Sequence, residues 1–448
     1  MSFLSKKLFG GDSRSSLVKK NIAGSFLIKG WSGLVQLLIV PISLDCLTPY
    51  EYGLWLTINS FLIALSYMDI GLGNGLRNKL AEAMAQGDRQ KARALVSTTF
   101  LMLFLIVVPI VLLGAGLIYR ADVYGLMNVS ATLIPNLPDI LFLSFAMTGA
   151  TFIFKFIGNV YLGMQLPAVN NLINVAGLTV AMLALLVLSW FGRSSLLVVA
   201  AIYTASPLLV YLLAYPVTFG WKYPFLAPRL RLFSKAYLGD LFSLGILFFV
   251  VQIAGIVLFQ SSNIIISKMF SPEEVTPYQV SYRYYTILSM ITAVISSPLW
   301  AATTDAYTKA DFAWMRRTER KLRKVLLACL ALLVAMTLFA PVFYRLWVGD
   351  KVAVPSALNM MMALYTFILA CSSCYSNLIF GTGKIRLIVI LTVLEAVLYI
   401  PLAVFWGGKM GVYGVLFALI LVTPICAVAN FIQFQKIAGQ RAHGIWGK

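Results

Sequence analysis

The sequence has few charged residues. Of its 448 residues 11% are charged, against roughly a quarter in soluble proteins, and only 16 are acidic. One histidine is present, His443, so histidine proton relays and histidine-based metal sites are not expected. All five cysteines lie within or beside apolar segments and indicate no disulfide framework. Because 60% of the residues are apolar, the chain is predicted to be an integral membrane protein and not a soluble domain.

Long apolar runs are abundant instead. A transmembrane helix needs about 20 consecutive, mostly apolar residues. Twelve runs meet that requirement without the strict alternation of barrel strands, which predicts an all-α polytopic membrane protein with twelve transmembrane helices. The first run is too long for the core of a cleavable signal peptide. The predicted spans are roughly 21–46, 52–77, 95–119, 138–163, 168–190, 195–219, 237–267, 275–300, 325–347, 355–380, 385–406 and 411–434.

The basic residues are distributed unevenly between the two sides of these spans. Of the 35 lysines and arginines, 26 fall in the N-terminus, the tail and the segments that alternate with them, and six fall on the other side. By the positive-inside rule, both termini are predicted to be cytoplasmic. The net charge of +19 is therefore explained mainly by topology and by attraction to anionic lipid headgroups, and a nucleic-acid partner is not expected.

The chain also contains an internal repeat. Several residues in the turns and cytoplasmic segments match at an offset of 223, and a later Asn-x-x-x-Gly motif matches at an offset of 218. Two six-helix lobes are predicted, residues 1–220 and 221–448, and they are parallel because six is even. A duplicated scaffold without transport is the alternative. The matching pairs are Pro49 with Pro272, Asp88 with Asp311, Arg93 with Arg316, Asn159 with Asn377 and Gly163 with Gly381.

Four charged residues interrupt the apolar spans: Lys29, Asp69, Lys155 and Arg283. A charge at mid-bilayer costs several kcal/mol, so such residues usually face the protein interior or a hydrated cavity. The first three each lie on a polar stripe with helical spacing, about eight residues or roughly 12 Å from the cytoplasmic end of their span. This common depth allows them to share one cavity.

The second half replaces these charges by neutral polar residues. Lys29 aligns with Gln252, Asp69 with Thr292 and Lys155 with Ser373. The first lobe is thus expected to offer charge and the second neutral hydrogen bonds, apart from Arg283 nearer the outer side and the buried acid Glu395. The other residues expected to line the polar cavity are Gln36, Asn59, Asn159, Gln252, Gln260, Asn263 and Asn377.

Each intramembrane charge has a functional and a structural interpretation. Lys29 and Asp69 either form an ion pair that orders the first lobe or belong to a binding and coupling site. Lys155 and Arg283 have no acid at their depth, and unpaired buried cations are costly, so we expect them to face a hydrated path and an anionic substrate. The tyrosines at 278, 282, 284 and 285 either stack on sugar or form an interfacial aromatic belt.

The segment Leu47-Thr48-Pro49-Tyr50-Glu51-Tyr52-Gly53-Leu54-Trp55, followed by Asp69-Ile70-Gly71-Leu72-Gly73 and the lone cation of span 1, resembles the polysaccharide transporters of the multidrug/oligosaccharidyl-lipid/polysaccharide flippase superfamily. The resemblance implies a MATE-like fold and an O-antigen, exopolysaccharide or capsule flippase in the bacterial cytoplasmic membrane. Such a protein moves undecaprenyl-diphosphate-linked oligosaccharide to the outer leaflet by alternating access, alongside a polysaccharide polymerase and a chain-length regulator. Lys29, Lys155 and Arg283 would form its cationic cavity, with the diphosphate on the first two.

Two other functions remain as alternatives. A cation-coupled multidrug antiporter on the same fold would use acidic residues, for which Asp69 and Glu395 are available. A membrane-bound glycan polymerase or glycosyltransferase would need catalytic residues on a sizeable outer loop, and the longest outer loop here covers only about residues 120–137. No nucleotide-binding domain, metal site or cofactor is predicted, and we do not expect an enzyme.

Overall fold

The computed structural model describes residues 13–65, 72–242 and 245–447, and in this part of the chain the secondary structure is helical. Two of the predicted spans are each divided into two helices by a short break, one at Lys155 and the other at Thr423. The α-helices are α1 (Ser13–Cys46), α2 (Pro49–Leu65), α3 (Leu72–Ala85), α4 (Arg89–Arg120), α5 (Val123–Met127), α6 (Leu137–Phe154), α7 (Phe156–Gly163), α8 (Pro167–Ser189), α9 (Leu196–Pro216), α10 (Ala236–Phe242), α11 (Gly245–Met269), α12 (Pro272–Thr308), α13 (Phe312–Val348), α14 (Ser356–Thr382), α15 (Arg386–Met410), α16 (Val412–Val422) and α17 (Pro424–Ala438).

The predicted all-α membrane architecture is confirmed. Within the described ranges, ten helical stretches are long and apolar enough to cross a membrane. The other two predicted spans are 52–77 and 237–267. They correspond to α2, which has 17 residues before the undescribed 66–71, and to the apolar helix α11. Several helices extend beyond their apolar run. In α13, for example, the first turns are basic and helical and precede the apolar part.

The chain forms two compact units, each with its own apolar core. The predicted lobes 1–220 and 221–448 divide the sequence by its repeat and not by contacts, and they stay a prediction. The first unit takes its described residues from Met1–Cys46, Leu65–Ala121 and Asn136–Phe249. The second takes them from Leu47–Ala64, Asp122–Pro135 and Val250–Lys448.

The repeat is visible in matching helix caps. Asp88 begins α4 and accepts a hydrogen bond from the backbone N–H three residues later, and Asp311, 223 positions further on, does the same for α13. Each cap follows a residue with positive φ, Gly87 at 73° and Ala310 at 56°. A carboxylate at this position satisfies a free N–H of the first turn and favours the helix dipole. The two halves thus start their third long helix in the same way.

Two further pairs of contacts obey the repeat, each inside its own unit. Arg93 donates to the carbonyl of Ala227, with 2.9 Å between Nε and O, and Arg316 donates to the carbonyl of Ala438, with 2.7 Å between Nη1 and O. A Cβ on Gly163 would lie 3.1 Å from the carbonyl oxygen of Arg77. A Cβ on Gly381 would lie 2.6 Å from the carbonyl oxygen of Trp300, which is position 77 plus 223. Equivalent helices therefore cross at equivalent residues.

Candidate functional site

In the first unit, Lys155 lies at a helix break. Its carbonyl accepts the backbone N–H of Gly158, with an N to O distance of 2.9 Å, so a 3₁₀-type turn replaces one α-helical turn between α6 and α7. One turn earlier, the Thr151 hydroxyl donates to the Met147 carbonyl, a bond that bends helices. Lys155 is exposed and makes a further interaction within the protein. Its role toward an anionic substrate stays a prediction.

Three polar residues that the sequence analysis missed lie beside this break. A Cβ on Gly158 would overlap the Oδ1 atom of Asn170 in α8, so glycine is needed where the two helices meet. Asn174, one turn along α8, donates through Nδ2 to the Asn170 carbonyl. Its Oδ1 accepts from the Tyr211 hydroxyl, with 2.9 Å between the two oxygens. Asparagines four residues apart in an apolar span are a sequence signal for this polar face.

The polar stripe of span 1 lies on α1 and is exposed at Lys29. Lys29 is exposed and makes no ion pair with any described residue. Gln36 is half-buried and donates to the Ser32 hydroxyl over 3.2 Å. The helix packs on α8, where the Trp31 ring N–H donates to the Thr179 hydroxyl. Asp69 lies outside the described residues, so the predicted pair between Lys29 and Asp69 stays a prediction.

Two of the predicted cavity residues of the first half, Asn159 and Asn59, are half-buried, and their positions do not define a role. Asn159 lies on α7, one turn after the break at Lys155, and is half-buried. Asn59 lies on α2, which belongs to the second unit, and is half-buried as well. Their places in a polar cavity therefore stay predictions.

In the second unit, Arg283 is half-buried. Its guanidinium lies within hydrogen-bonding reach of the Tyr52 hydroxyl, and Tyr52 is itself almost fully buried. The Nε atom of Arg283 is buried and has no hydrogen-bond partner among the described residues. One donor of this cation is thus unused.

Asn263 has internal partners. Its Nδ2 donates to the Ser60 hydroxyl over 2.9 Å, and its Oδ1 accepts from Gln279 Nε2 over 2.7 Å. The residue is buried. It does not line the cavity of about 650 Å³ that the second unit contains. Gln252, on the same helix, has a side chain outside the described part of the structure.

A cavity of about 650 Å³ lies within the second unit. It is lined by residues of α11, α12, α14 and α15 and by the break between α16 and α17. Gln260, Asn377 and Glu395, predicted as separate polar positions, all line it. Thr292 and Ser373, which the repeat aligns with Asp69 and Lys155, line it too.

Glu395 is 4% exposed and lies beside the second helix break. Its Oε1 accepts the backbone N–H of Cys426, with a distance of 2.7 Å, in the first turn of α17 after Pro424. Within the described ranges Glu395 forms no ion pair. Its observed partner is therefore a helix N-terminus, where a carboxylate is favoured, and a coupling role stays a prediction.

The tyrosines of span 8 have different environments. Tyr282 lines the cavity. The hydroxyls of Tyr284 and Tyr285 donate to the Met336 carbonyl and to Asn359 Oδ1, each over 2.9 Å, and the rings pack in a buried cluster. Tyr278 is buried as well. Neither sugar stacking nor an interfacial belt describes these three buried residues, because neighbouring helices cover them.

Comparison with known proteins now adds to this geometry. A family model described as "Polysaccharide biosynthesis protein" matches residues 18–301, more than half of the chain. The chain belongs to this family. Two Salmonella relatives share 20% identity, one from Salmonella typhi over 89% of this chain and 91% of its own length, one from Salmonella typhimurium over 86% and 89%; each carries the name "Putative O-antigen transporter".

Solved structures of MATE family transporters have the same fold as this member of the polysaccharide biosynthesis protein family. An inward-facing multidrug resistance MATE family transporter of the MOP superfamily matches with a TM-score of 0.76 at 15% identity, covering 91% of this chain and 95% of the other. An outward-facing MATE transporter of that superfamily matches with a TM-score of 0.62 at 15% identity, covering 96% and 97%. The predicted MATE-like fold is confirmed.

Proposed function

We propose that this protein is a flippase that moves undecaprenyl-diphosphate-linked oligosaccharide from the inner to the outer leaflet of a bacterial cytoplasmic membrane by alternating access. Membership of the polysaccharide biosynthesis protein family supports a role in surface polysaccharide assembly. The names of the Salmonella relatives and the transporter fold support transport and not an enzymatic reaction.

The observation that carries the proposal is the cavity wall of the second unit. Thr292 and Ser373 line one cavity there, and their repeat equivalents are Asp69 and Lys155. If the first half uses its matching helices in the same way, an acid and a cation line a cavity where the second half has two hydroxyls. A phosphate ligand would explain why a lysine in the first half stands where the second half has a hydroxyl, because lysine is a strong donor and point charge for phosphate oxygens.

The matching helix crossings support this inference. Ser373 precedes Gly381 by eight residues and Thr292 precedes Trp300 by eight, so both lie roughly 12 Å from the crossing point on the same side. Lys155 precedes Gly163 by eight residues, and Asp69 precedes Arg77 by eight. The two charges are thus assigned a common depth in the first half.

A second cation suits a diphosphate better than one. Lys29 is exposed on α1 at a predicted depth close to that of Lys155. A lysine that faced lipid at this depth would cost several kcal/mol, so its exposure favours a hydrated path. We assign the diphosphate to Lys29 and Lys155, with Arg283 meeting the anion nearer the outer side.

The test is transport by the purified protein. Vesicles are prepared with lipid-linked oligosaccharide in the inner leaflet only, and its arrival outside is followed with a membrane-impermeant glycosidase. We expect rapid transport by the natural chain, at least tenfold slower transport by Lys29→Gln, and no change for the control Lys321→Gln on the exposed surface of α13. Efflux of a cationic dye without movement of the glycolipid would overturn the proposal in favour of a multidrug antiporter.

A further inference from the structure

The cavity of the second unit has a chemistry that the diphosphate site does not explain. Its described wall contains no lysine or arginine and one acid, Glu395. A wall without a cation offers no charge partner for a diphosphate. The wall is otherwise made of hydroxyls, amides, aromatic rings and aliphatic side chains. The cavity is therefore suited to a ligand that is polar and uncharged.

Several hydrogen-bonding groups in this wall are unused. The side chains of Gln260, Ser289 and Ser373 make no hydrogen bond with any described residue. Other wall groups are already engaged, since Asn377 Nδ2 donates to the Ser296 hydroxyl over 2.9 Å. Gln260 and Ser289 are half-buried and Ser373 is exposed, so these groups are accessible to water or to a polar ligand in the cavity.

Aromatic side chains supply the rest of the wall. Phe259 and Phe380 lie on it, as do Tyr282 and Tyr365. The ring of Phe380 also packs on Trp300, with 5.0 Å between centroids, which fixes its orientation. A sugar ring carries hydroxyls and acylamino groups on its edge and C–H groups on its faces, so it needs both kinds of surface. The volume of about 650 Å³ falls in the range of roughly 300–1,000 Å³ typical of ligand pockets.

We infer that this cavity binds a sugar residue of the lipid-linked oligosaccharide, an inference that rests on the proposed function. Gln260 and Ser373 hydrogen-bond sugar hydroxyls, and Glu395 accepts from a hydroxyl or an acylamino N–H. The aromatic side chains cover the C–H faces.

The experiment compares two probes on the purified full chain by native mass spectrometry. One probe is undecaprenyl diphosphate without sugar. The other is the lipid-linked oligosaccharide extracted from membranes of producing cells that lack this protein. We expect the oligosaccharide-bearing lipid to bind at least tenfold more tightly than the sugarless lipid.

Variants then locate the sugar contact. Gln260→Leu, Ser373→Ala and Glu395→Gln should each weaken binding of the oligosaccharide-bearing lipid about three- to tenfold, as expected for one lost hydrogen bond, and leave the sugarless lipid unchanged. Glu395→Gln keeps an acceptor for the Cys426 N–H, so it tests the ligand contact without removing that bond. Gln435→Leu, near the end of α17 and away from the cavity, is the matched control.

The outcomes separate the two proposals. If both lipids bind equally and the cavity variants change neither, the sugar site is overturned while the diphosphate site stands. Equal loss of both lipids in the cavity variants also overturns the sugar site. If neither lipid binds the natural chain, the proposed function fails, and the sugar inference fails with it.

Discussion

The Glu395 carboxylate accepts the backbone N–H of Cys426 across the break in the last span, with 2.7 Å between Oε1 and N. Pro424 begins α17, so the N–H groups of its first turn lack helical partners. A buried acid thus completes a helix terminus inside the apolar region. The same carboxylate belongs to a residue on the cavity wall.

Removing this carboxylate should destabilise the protein. Glu395→Ala leaves a buried N–H without an acceptor, which costs about 1–3 kcal/mol, whereas Glu395→Gln retains a carbonyl acceptor and most of the stability. Thermal unfolding in detergent measures both. Glu82→Ala, which breaks an exposed pair with Lys79, should change stability by about 1 kcal/mol or less. Unfolding temperatures equal to that of the natural chain for both Glu395 variants would show that the bond adds no stability.

The close helix crossings predict a selective effect of alanine at glycine. Gly381→Ala places a Cβ 2.6 Å from the Trp300 carbonyl oxygen, and Gly53→Ala overlaps the Pro272 carbonyl. Each should cost about 1–3 kcal/mol through forced backbone shifts. Gly408→Ala meets nothing within 4 Å and should be neutral or stabilising. Equal thermal stability of all three variants in detergent would argue against these crossings.

The distribution of basic residues predicts the orientation of the chain. In a background without cysteine, Gln90→Cys and Ala313→Cys should react with an impermeant maleimide only after the membrane is opened. Arg193→Cys and Asp350→Cys should react in intact cells. All four positions are exposed in the structure, so access is decided by the side of the membrane. Labelling of position 90 or 313 in intact cells would reverse the topology.

Lys155 should be essential for export. Lys155→Ala removes the cation at the helix break and should lower export of lipid-linked oligosaccharide at least tenfold, while the protein still inserts and reaches normal membrane levels. Lys155→Arg should restore part of the activity, because the charge is kept but its planar fork differs from an ammonium group. Export is measured as surface polysaccharide in a strain that lacks this transporter. Normal export by Lys155→Ala would remove the residue from the mechanism.

The pair Lys29 and Asp69 separates a binding site from a structural ion pair. If the two residues only order the lobe, each single neutralisation leaves one charge of the pair without its partner, and Lys29→Met with Asp69→Leu should restore export. If Lys29 binds diphosphate, the double variant should fold and remain inactive. We expect the inactive outcome. A double-mutant cycle on export and on thermal stability measures the coupling, and full rescue of export would assign the pair to structure.

The fold was largely predictable because lipid imposes simple patterns. Apolar runs of sufficient length predicted the helices. The sequence matches of Asp88 with Asp311 and of Arg93 with Arg316 correspond to matching helix caps and to matching arginine–carbonyl hydrogen bonds. Local features set by neighbouring helices were not predictable. Nothing in the residues around Lys155 marks a break as a proline would.

The buried tyrosines show the same limit of sequence reasoning. The pattern of span 8 gave their spacing, but the cover over Tyr284 comes from α13, which is distant in the sequence. The partner of Glu395 likewise depends on a helix that begins only at Pro424. A stripe of polar residues therefore predicts a face of a helix and not what that face meets.

The 3₁₀ turn at Lys155 has no counterpart at the matching place in the second half, where α14 runs unbroken from Ser356 to Thr382 through Ser373. A helix that has given up a regular backbone hydrogen bond bends with less resistance than a continuous one. The two halves thus share a pattern of helices but differ at this point in the continuity of one helix. The half with the cation is the compliant one, so a ligand that binds Lys155 acts directly on the point where its helix yields.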